Sequence, residues 1–151
     1  MAGDVPVEYL RECLSYSPES GQFRWLVRPE RHFASRRSCN SANAKFAGKK
    51  AGHWDRASGY QVIGLTFQGK QRLFLAHRVA IALTDGAWPD LTVDHVNGRK
   101  LDNRRVNLRV CSHEQNMRNQ GGKSSGRNPL KGAYFHRRSG KWQSSICVNY
   151  R

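Results

Sequence analysis

Residues 93–119 read V-D-H-V-N-G-R-K-L-D-N-R-R-V-N-L-R-V-C-S-H-E-Q-N-M-R-N, and their spacing governs how the rest of the chain is read. Asp94 and His95 are adjacent, Asn107 follows His95 by twelve residues, and Asn116 follows Asn107 by nine. Residues 91–95 predict a short strand, and Asn97-Gly98 is a turn signal that opens a basic loop. Residues 107–111, with apolar Leu108 and Val110, predict a second strand. Ser112 with Gln115 three residues on forms a capping box, so a helix should begin there and carry Asn116. A strand–loop–strand–helix unit of this length brings Asp94 and His95 near the first turns of that helix.

Side chains alternate along a strand, so Asp94 and His95 should face opposite ways. Asp94 and Asn116 are then placed to hold one divalent cation, which would polarise a scissile phosphate. His95, with an ordinary pKa near ~6.5, is free to take a proton from water at neutral pH. Asn107 is expected to orient His95 by accepting its other ring N–H through the amide oxygen. Together these features predict a metal-dependent nuclease.

The segment resembles the HNH (ββα-metal) endonuclease motif, in the form carried by phage homing endonucleases. His95, Asn107 and Asn116 fall on the three signature positions, and Asp94 falls on the metal-ligand position before the first histidine. The resemblance implies that His95 is the general base, that Asn107 supports its loop, and that Asp94 and Asn116 hold the metal. It also implies 5′-phosphate and 3′-hydroxyl ends. Asn116 stands where many members have His, which favours Mg²⁺ or Mn²⁺ over Zn²⁺. The stretch L-x-Y-x-P-E-x-G-x-F-x-W, from Leu14 to Trp25, is similar to the opening of phage HNH proteins.

The 151 residues include 26 Lys and Arg against 11 Asp and Glu, a net charge of +15. Such an excess favours a polyanionic partner, and the basic residues are spread over the whole chain, so double-stranded DNA is the expected one. No apolar run approaches the ~20 residues that a membrane span needs. A soluble cytoplasmic protein without membrane partners, phage-encoded in a bacterial host, is expected. Cys13, Cys39, Cys111 and Cys147 form no Cys-x-x-Cys pair, so a zinc ribbon is disfavoured and reduced structural thiols are expected.

Upstream, residues 5–16 predict a helix and residues 22–27 a strand, with Tyr16, Phe23 and Trp25 assigned to the core. Residues 28–50 lose the apolar pattern and are expected to form an irregular basic arm. Residues 59–76 predict a β-hairpin around Gln68-Gly69-Lys70, and residues 77–84 a helix ending at Gly86. His77 is assigned to packing or a phosphate contact, and Asp102 and Asn103 to loop stabilisation. His113 is given no catalytic part. Residues 120–129 are a linker by composition.

Residues 130–151 resemble the start of an AP2-type DNA-binding domain, G-x-x-F-x-x-R-x-G-K-W-x-x-x-I, with strands over 133–137 and 141–148. The family domain has a third strand and a helix that this stretch lacks. Candidate DNA contacts are Arg36, Arg37, Lys49 and Lys50 on the arm, and Lys70, Arg72 and Arg78 from the hairpin onward. Arg99, Lys100, Arg104, Arg105 and Arg118 surround the central unit, and Arg137, Arg138, Lys141 and Trp142 lie on the last hairpin. The sequence therefore predicts an α+β protein of small antiparallel hairpins plus a ββα-metal unit. Its parts are residues 1–90, the catalytic unit 91–119 continuous with them, the linker, and residues 130–151. As a monomer it would nick, and as a homodimer it could cut both strands. The alternative is a DNA-binding regulator with an idle HNH fold.

Overall fold

The structure, a computed structural model, describes residues 5–119 and 133–144. It is α+β, and its elements follow one another closely. Helix α1 (Val7–Cys13) leads directly into strand β1 (Leu14–Ser17), which pairs antiparallel with β2 (Gln22–Trp25). The helix predicted over 5–16 thus stops early. Leu14, Ser15, Tyr16 and Ser17 are extended because they gain a partner strand, a tertiary reward that local periodicity does not reveal.

The basic arm is not irregular. A 3₁₀ turn (Glu30–His32) is followed by helix α2 (Arg36–Phe46). Ser35 caps that helix reciprocally with Ser38, and Cys39 is its buried residue. Asn43 donates its amide to the Arg28 carbonyl at 2.8 Å, and its oxygen accepts from the Arg28 N–H at 3.0 Å. His32 is wedged between Cys13 (3.6 Å) and the Glu12 carboxylate (2.6 Å), which ties the 3₁₀ turn to α1. Polar anchors hold this segment, so a search for apolar spacing passes over it.

The three-stranded sheet orders β3 (His53–Trp54), β4 (Gln61–Phe67) and β5 (Lys70–Leu75), all antiparallel. The β4–β5 turn is at Gln68 and Gly69, both with positive φ, as a two-residue hairpin requires. Helix α3 (Ala76–Asp85) buries Ala76, His77, Val79, Ala80, Ile81 and Ala82, and ends at Gly86 in the left-handed region. It packs against α1, β4 and β5. Val5, Leu10, Phe23, Ile63, Leu65, Val79 and Ile81 belong to this core, which Val93 and Leu108 join from the downstream unit. The Trp88 indole N–H donates to the Val5 carbonyl at 2.6 Å, closing the chain between α3 and the next strand.

The downstream unit follows the expected order. Strand β6 (Thr92–His95) pairs antiparallel with β7 (Leu108–Cys111), and helix α4 (His113–Asn119) returns against β6. Asn107 lies in a 3₁₀ turn (Arg105–Asn107) just before β7 rather than in the strand. Ser112 and Gln115 form the predicted capping box: each backbone N–H donates to the other's side-chain oxygen, at 3.0 and 3.3 Å. Strands β8 (Ala133–His136) and β9 (Lys141–Ser144) make a separate antiparallel hairpin with Phe135 against Trp142. The linker, Cys147, and the residues that would extend the second strand to 148 lie outside the described residues. Cys13, Cys39 and Cys111 are free thiols. Among the described residues no helix is long and apolar enough to cross a membrane.

The turn after β1 presses on the β6–β7 loop. Gly21 has φ +69°, and a Cβ there would lie 2.6 Å from Asn103 C and Arg104 N. Gly98 has a similar φ of +72° with open space around it. Both Gly→Ala variants should lose about 1–2 kcal/mol from the left-handed backbone alone. Gly21→Ala should lose clearly more than Gly98→Ala in urea unfolding, because only it also meets backbone. Equal losses would show that the two segments do not touch.

Candidate active site

On β6 the burial alternates, with Val93 and His95 inward and Thr92 and Asp94 partly open. His95 is 4% exposed. Its Nε2 lies 3.2 Å from Asn103 Oδ1. The edge of the ring meets the His77 ring at a centroid distance of 5.0 Å and a 78° angle. Tyr60 lies 6.0 Å away on another side. Burial holds the His95 pKa below the ordinary histidine value, against the opposing pull of Asn103 and the nearby Asp94 and Asp102. The imidazole is therefore neutral at pH 7, the form a base needs.

Asp94 is the cross-strand neighbour of Arg109 and accepts from its guanidinium at 2.9 Å. Asp94, His95 and Asn116 line one cleft of about 430 Å³, together with Tyr60, Leu75, His77, Arg78, Thr92, Val93, Gly98 and Lys100. Among the described residues no cluster of three or more His, Cys, Asp or Glu side chains could hold a metal alone. The oxygens of Asp94 and Asn116 are a hard donor pair. They fit a small divalent cation that keeps waters and takes further oxygens from its substrate. Such an ion would share Asp94 with Arg109 or displace that guanidinium.

Asn107 has a different task from orienting His95. Its Oδ1 accepts from the Asn97 N–H at 3.0 Å, its Nδ2 donates to the Asp102 carbonyl at 2.8 Å, and its own carbonyl accepts from Val96 N–H at 2.9 Å. The amide is buried and spans the neck of the 96–107 loop, bridging its two ends. The side chain that meets His95 Nε2 is Asn103. That residue donates its Nδ2 to Gln61 Oε1 at 3.0 Å, and its backbone carbonyl accepts from the Tyr16 hydroxyl at 2.7 Å. Burial pushes that hydroxyl's pKa up to about 12.

Several of the expected DNA contacts have structural partners instead. Arg78 donates to the carbonyls of Pro89 (2.7 Å) and Leu91 (3.1 Å), fixing the segment that enters β6. Arg104 forms a two-pronged pair with Asp102 at 2.8 and 2.7 Å, and holds that carboxyl well below the usual range. Arg105 reaches the Leu108 carbonyl and the Asp85 carboxylate. Lys100 donates to the Ser58 carbonyl at 2.9 Å and sits 4.4 Å over the Tyr60 ring while lining the cleft. Arg36, Arg37, Lys49, Lys50, Lys70, Arg99, Arg137, Arg138, Lys141 and Trp142 are exposed, and Arg72 is half-buried. The side chain of Arg118 lies outside the described residues. His77 is packed as the sequence suggests, against Tyr60 and His95, whereas the contacts of Gln61 with Asn103 and of Asn103 with His95 have no signal in the sequence, because each depends on the fold.

Residues 74–118 match a family described as HNH endonuclease. The DNA endonuclease I-HmuI of Bacillus phage SP01 is 40% identical over 75 residues, covering 49% of this chain and 43% of the relative. A solved structure described as "DNA binding and cleavage by the HNH homing endonuclease I-HmuI" aligns at 30% identity and a TM-score of 0.47, covering 72% of this chain and 51% of its own. The chain thus spans about half, or less, of the length of the relatives it matches.

His77 carries a pH signature. Among the described residues its buried Nδ1 has no hydrogen-bond partner, and desolvation, aided by His95 and Arg78, lowers its pKa to about 3. The unfolded chain binds this proton below ~6.5, while the folded chain refuses it until far lower pH. Stability linked to His77 is therefore complete above pH 6.5 and lost as pH falls from there. Urea unfolding at pH 7.5 and pH 5 should show His77→Phe losing about 2 kcal/mol less than the native chain over that interval. Identical losses would show that His77 is not buried as a neutral ring.

Proposed function

We propose, from the match of residues 74–118 to the HNH endonuclease family, that this chain is a homing-type, metal-dependent endonuclease that hydrolyses phosphodiester bonds of double-stranded DNA. The observation that carries this is the single cleft lined by Asp94, His95 and Asn116. His95, buried and neutral, takes the proton from the attacking water. Asp94 and Asn116 hold one divalent cation, Mg²⁺ or Mn²⁺ rather than Zn²⁺, which when bound neutralises charge on the phosphate. Asn107 keeps the loop closed so that His95 and Asp94 stay at one end of the cleft. Lys100 stands at the same cleft and supplies a positive charge to the scissile strand.

The DNA path lies over the exposed cations. Arg36 and Arg37 open α2, Lys49 and Lys50 follow it, and Lys70 stands on the β4–β5 hairpin with the half-buried Arg72 beside it. Arg99 adds charge at the loop, and Arg137, Arg138, Lys141 and Trp142 form the surface of the β8–β9 hairpin, which is the AP2-like part. Most of these serve affinity by displacing counterions rather than choosing sequence. One site cuts one strand, so a monomer nicks and a homodimer can break both.

The test is conversion of supercoiled plasmid carrying genomic inserts. Native chain with Mg²⁺ or Mn²⁺ should give relaxed or linear product, and EDTA should abolish it. His95→Ala should slow cutting by roughly 10²–10⁴-fold, and binding should weaken steeply with salt. Salt-sensitive binding with no cutting in either metal would overturn the nuclease reading and leave a regulator.

A further inference from the structure

We propose that Gln61 and Asn103 are positioning residues that form a one-way hydrogen-bond relay fixing His95 as its Nε2–H tautomer, so that Nδ1 is the ring's proton-accepting atom. This deepens the nuclease reading and rests on it for its catalytic meaning. The relay begins at a group with no ambiguity. The Ala51 backbone carbonyl can only accept, so the side-chain nitrogen of Gln61, 3.0 Å away, must be the donor Nε2. That turns Gln61 Oε1 toward Asn103, whose approaching atom at 3.0 Å must then be the donor Nδ2. Asn103 Oδ1 is left facing His95 Nε2 at 3.2 Å. An amide oxygen accepts only, so Nε2 carries the proton.

Each alternative orientation is costly. Reversing either amide sets two oxygens or two NH₂ groups against each other at buried or half-buried positions, where unmet polar groups are expensive. Asn103 cannot swing aside either. Its carbonyl is held by Tyr16, and its loop is bridged at the neck by Asn107. The His77 ring, edge-on at 5.0 Å, leaves the imidazole little room to turn over. When water gives its proton to Nδ1, the resulting imidazolium keeps its Nε2–H on Asn103 Oδ1, so the same contact serves before and after transfer.

The test uses the full chain labelled with ¹⁵N-histidine, free of metal, above the histidine titration range. His95→Ala assigns the His95 signals, and long-range ¹H–¹⁵N correlation reads which ring nitrogen is protonated. Native His95 should show the Nε2–H pattern. Asn103→Ala should convert it to a mixture, and should lower kcat roughly 10–100-fold with KM within about twofold. Asn103→Asp, which accepts from Nε2–H without donating to Gln61, should restore the pattern and most of kcat. A purely structural role would leave Asp as damaging as Ala. Gln61→Met, at a half-exposed position, should shift the pattern partway and serves if Asn103→Ala does not fold.

An Nδ1–H pattern in the native chain, or an unchanged pattern and kcat in Asn103→Ala, overturns the relay. If the native chain cuts no DNA but its Nε2–H pattern is lost in Asn103→Ala, the relay stands and the nuclease reading falls.

Discussion

A carboxamide buried to 2% exposure must make its hydrogen bonds within the protein, and Asn103 does so with three different segments. Its oxygen meets His95 on β6, its nitrogen meets Gln61 on β4, and its carbonyl meets Tyr16 on β1. Each partner belongs to a separate antiparallel sheet. The three small sheets share no ladder, and single backbone bonds, such as Arg105 N–H on the Pro18 carbonyl and Ala51 N–H on the Phe23 carbonyl, link their edges. Asn103, with the apolar core beneath it, adds side-chain bonds that reach all three at once. Truncating any partner leaves a buried polar atom unmet, which costs more than the bond it replaces contributes. The loop between β6 and β7 is therefore as well determined as the strands it joins.

The +15 charge divides into two populations. Around the loop, Arg78, Arg104, Arg105 and Arg109 are engaged with carbonyls or carboxylates of the protein. A guanidinium suits this use, because its fixed fork can satisfy two acceptors at once. Farther out, Arg36, Arg37, Lys49, Lys50 and Lys70 are exposed. Their mutual repulsion is a standing cost to the folded chain, and a polyanion laid over them relieves it. The guanidinium groups around the loop thus shape the protein, while Lys100 lines the cleft and the cations of α2 and Lys70 of the hairpin stay exposed.

Much of the strand–loop–strand–helix unit over 92–119 is legible in the sequence because it depends on local rules. Alternation along a strand separates Asp94 from His95, the Ser112–Gln115 spacing starts α4, and Gln68-Gly69 closes a hairpin. What escaped depends on distance. Gln61 and Asn103 are 42 residues apart, and nothing in either neighbourhood announces the other. The chemistry of the Asn107 amide alone allows a bond to His95, whereas in the fold it binds Asn97 N–H and the Asp102 carbonyl. Helix α2 escaped for another reason: Cys39 is its buried residue, so it has no apolar stripe to detect, and it is fastened by Ser35, Ser38 and Asn43. Arg78, Arg104 and Arg105 looked like DNA contacts because charge is visible in a sequence and its consumption by neighbours is not.

The stretch that matches known nucleases, residues 74–118, is not mechanically self-contained. The Tyr16–Asn103 and Val5–Trp88 contacts join residues 87 and 83 positions apart, and Pro18 receives the Arg105 N–H. Closing so long a loop carries an entropy cost that no local contact within the matched stretch repays. Contacts of that span raise the contact order and slow the approach to the native state. The residues that would do chemistry therefore gain their final arrangement only once Val5, Tyr16 and Pro18 have met Trp88, Asn103 and Arg105. A transplanted 74–118 fragment would keep the ligand and base residues and lose the frame that aims them.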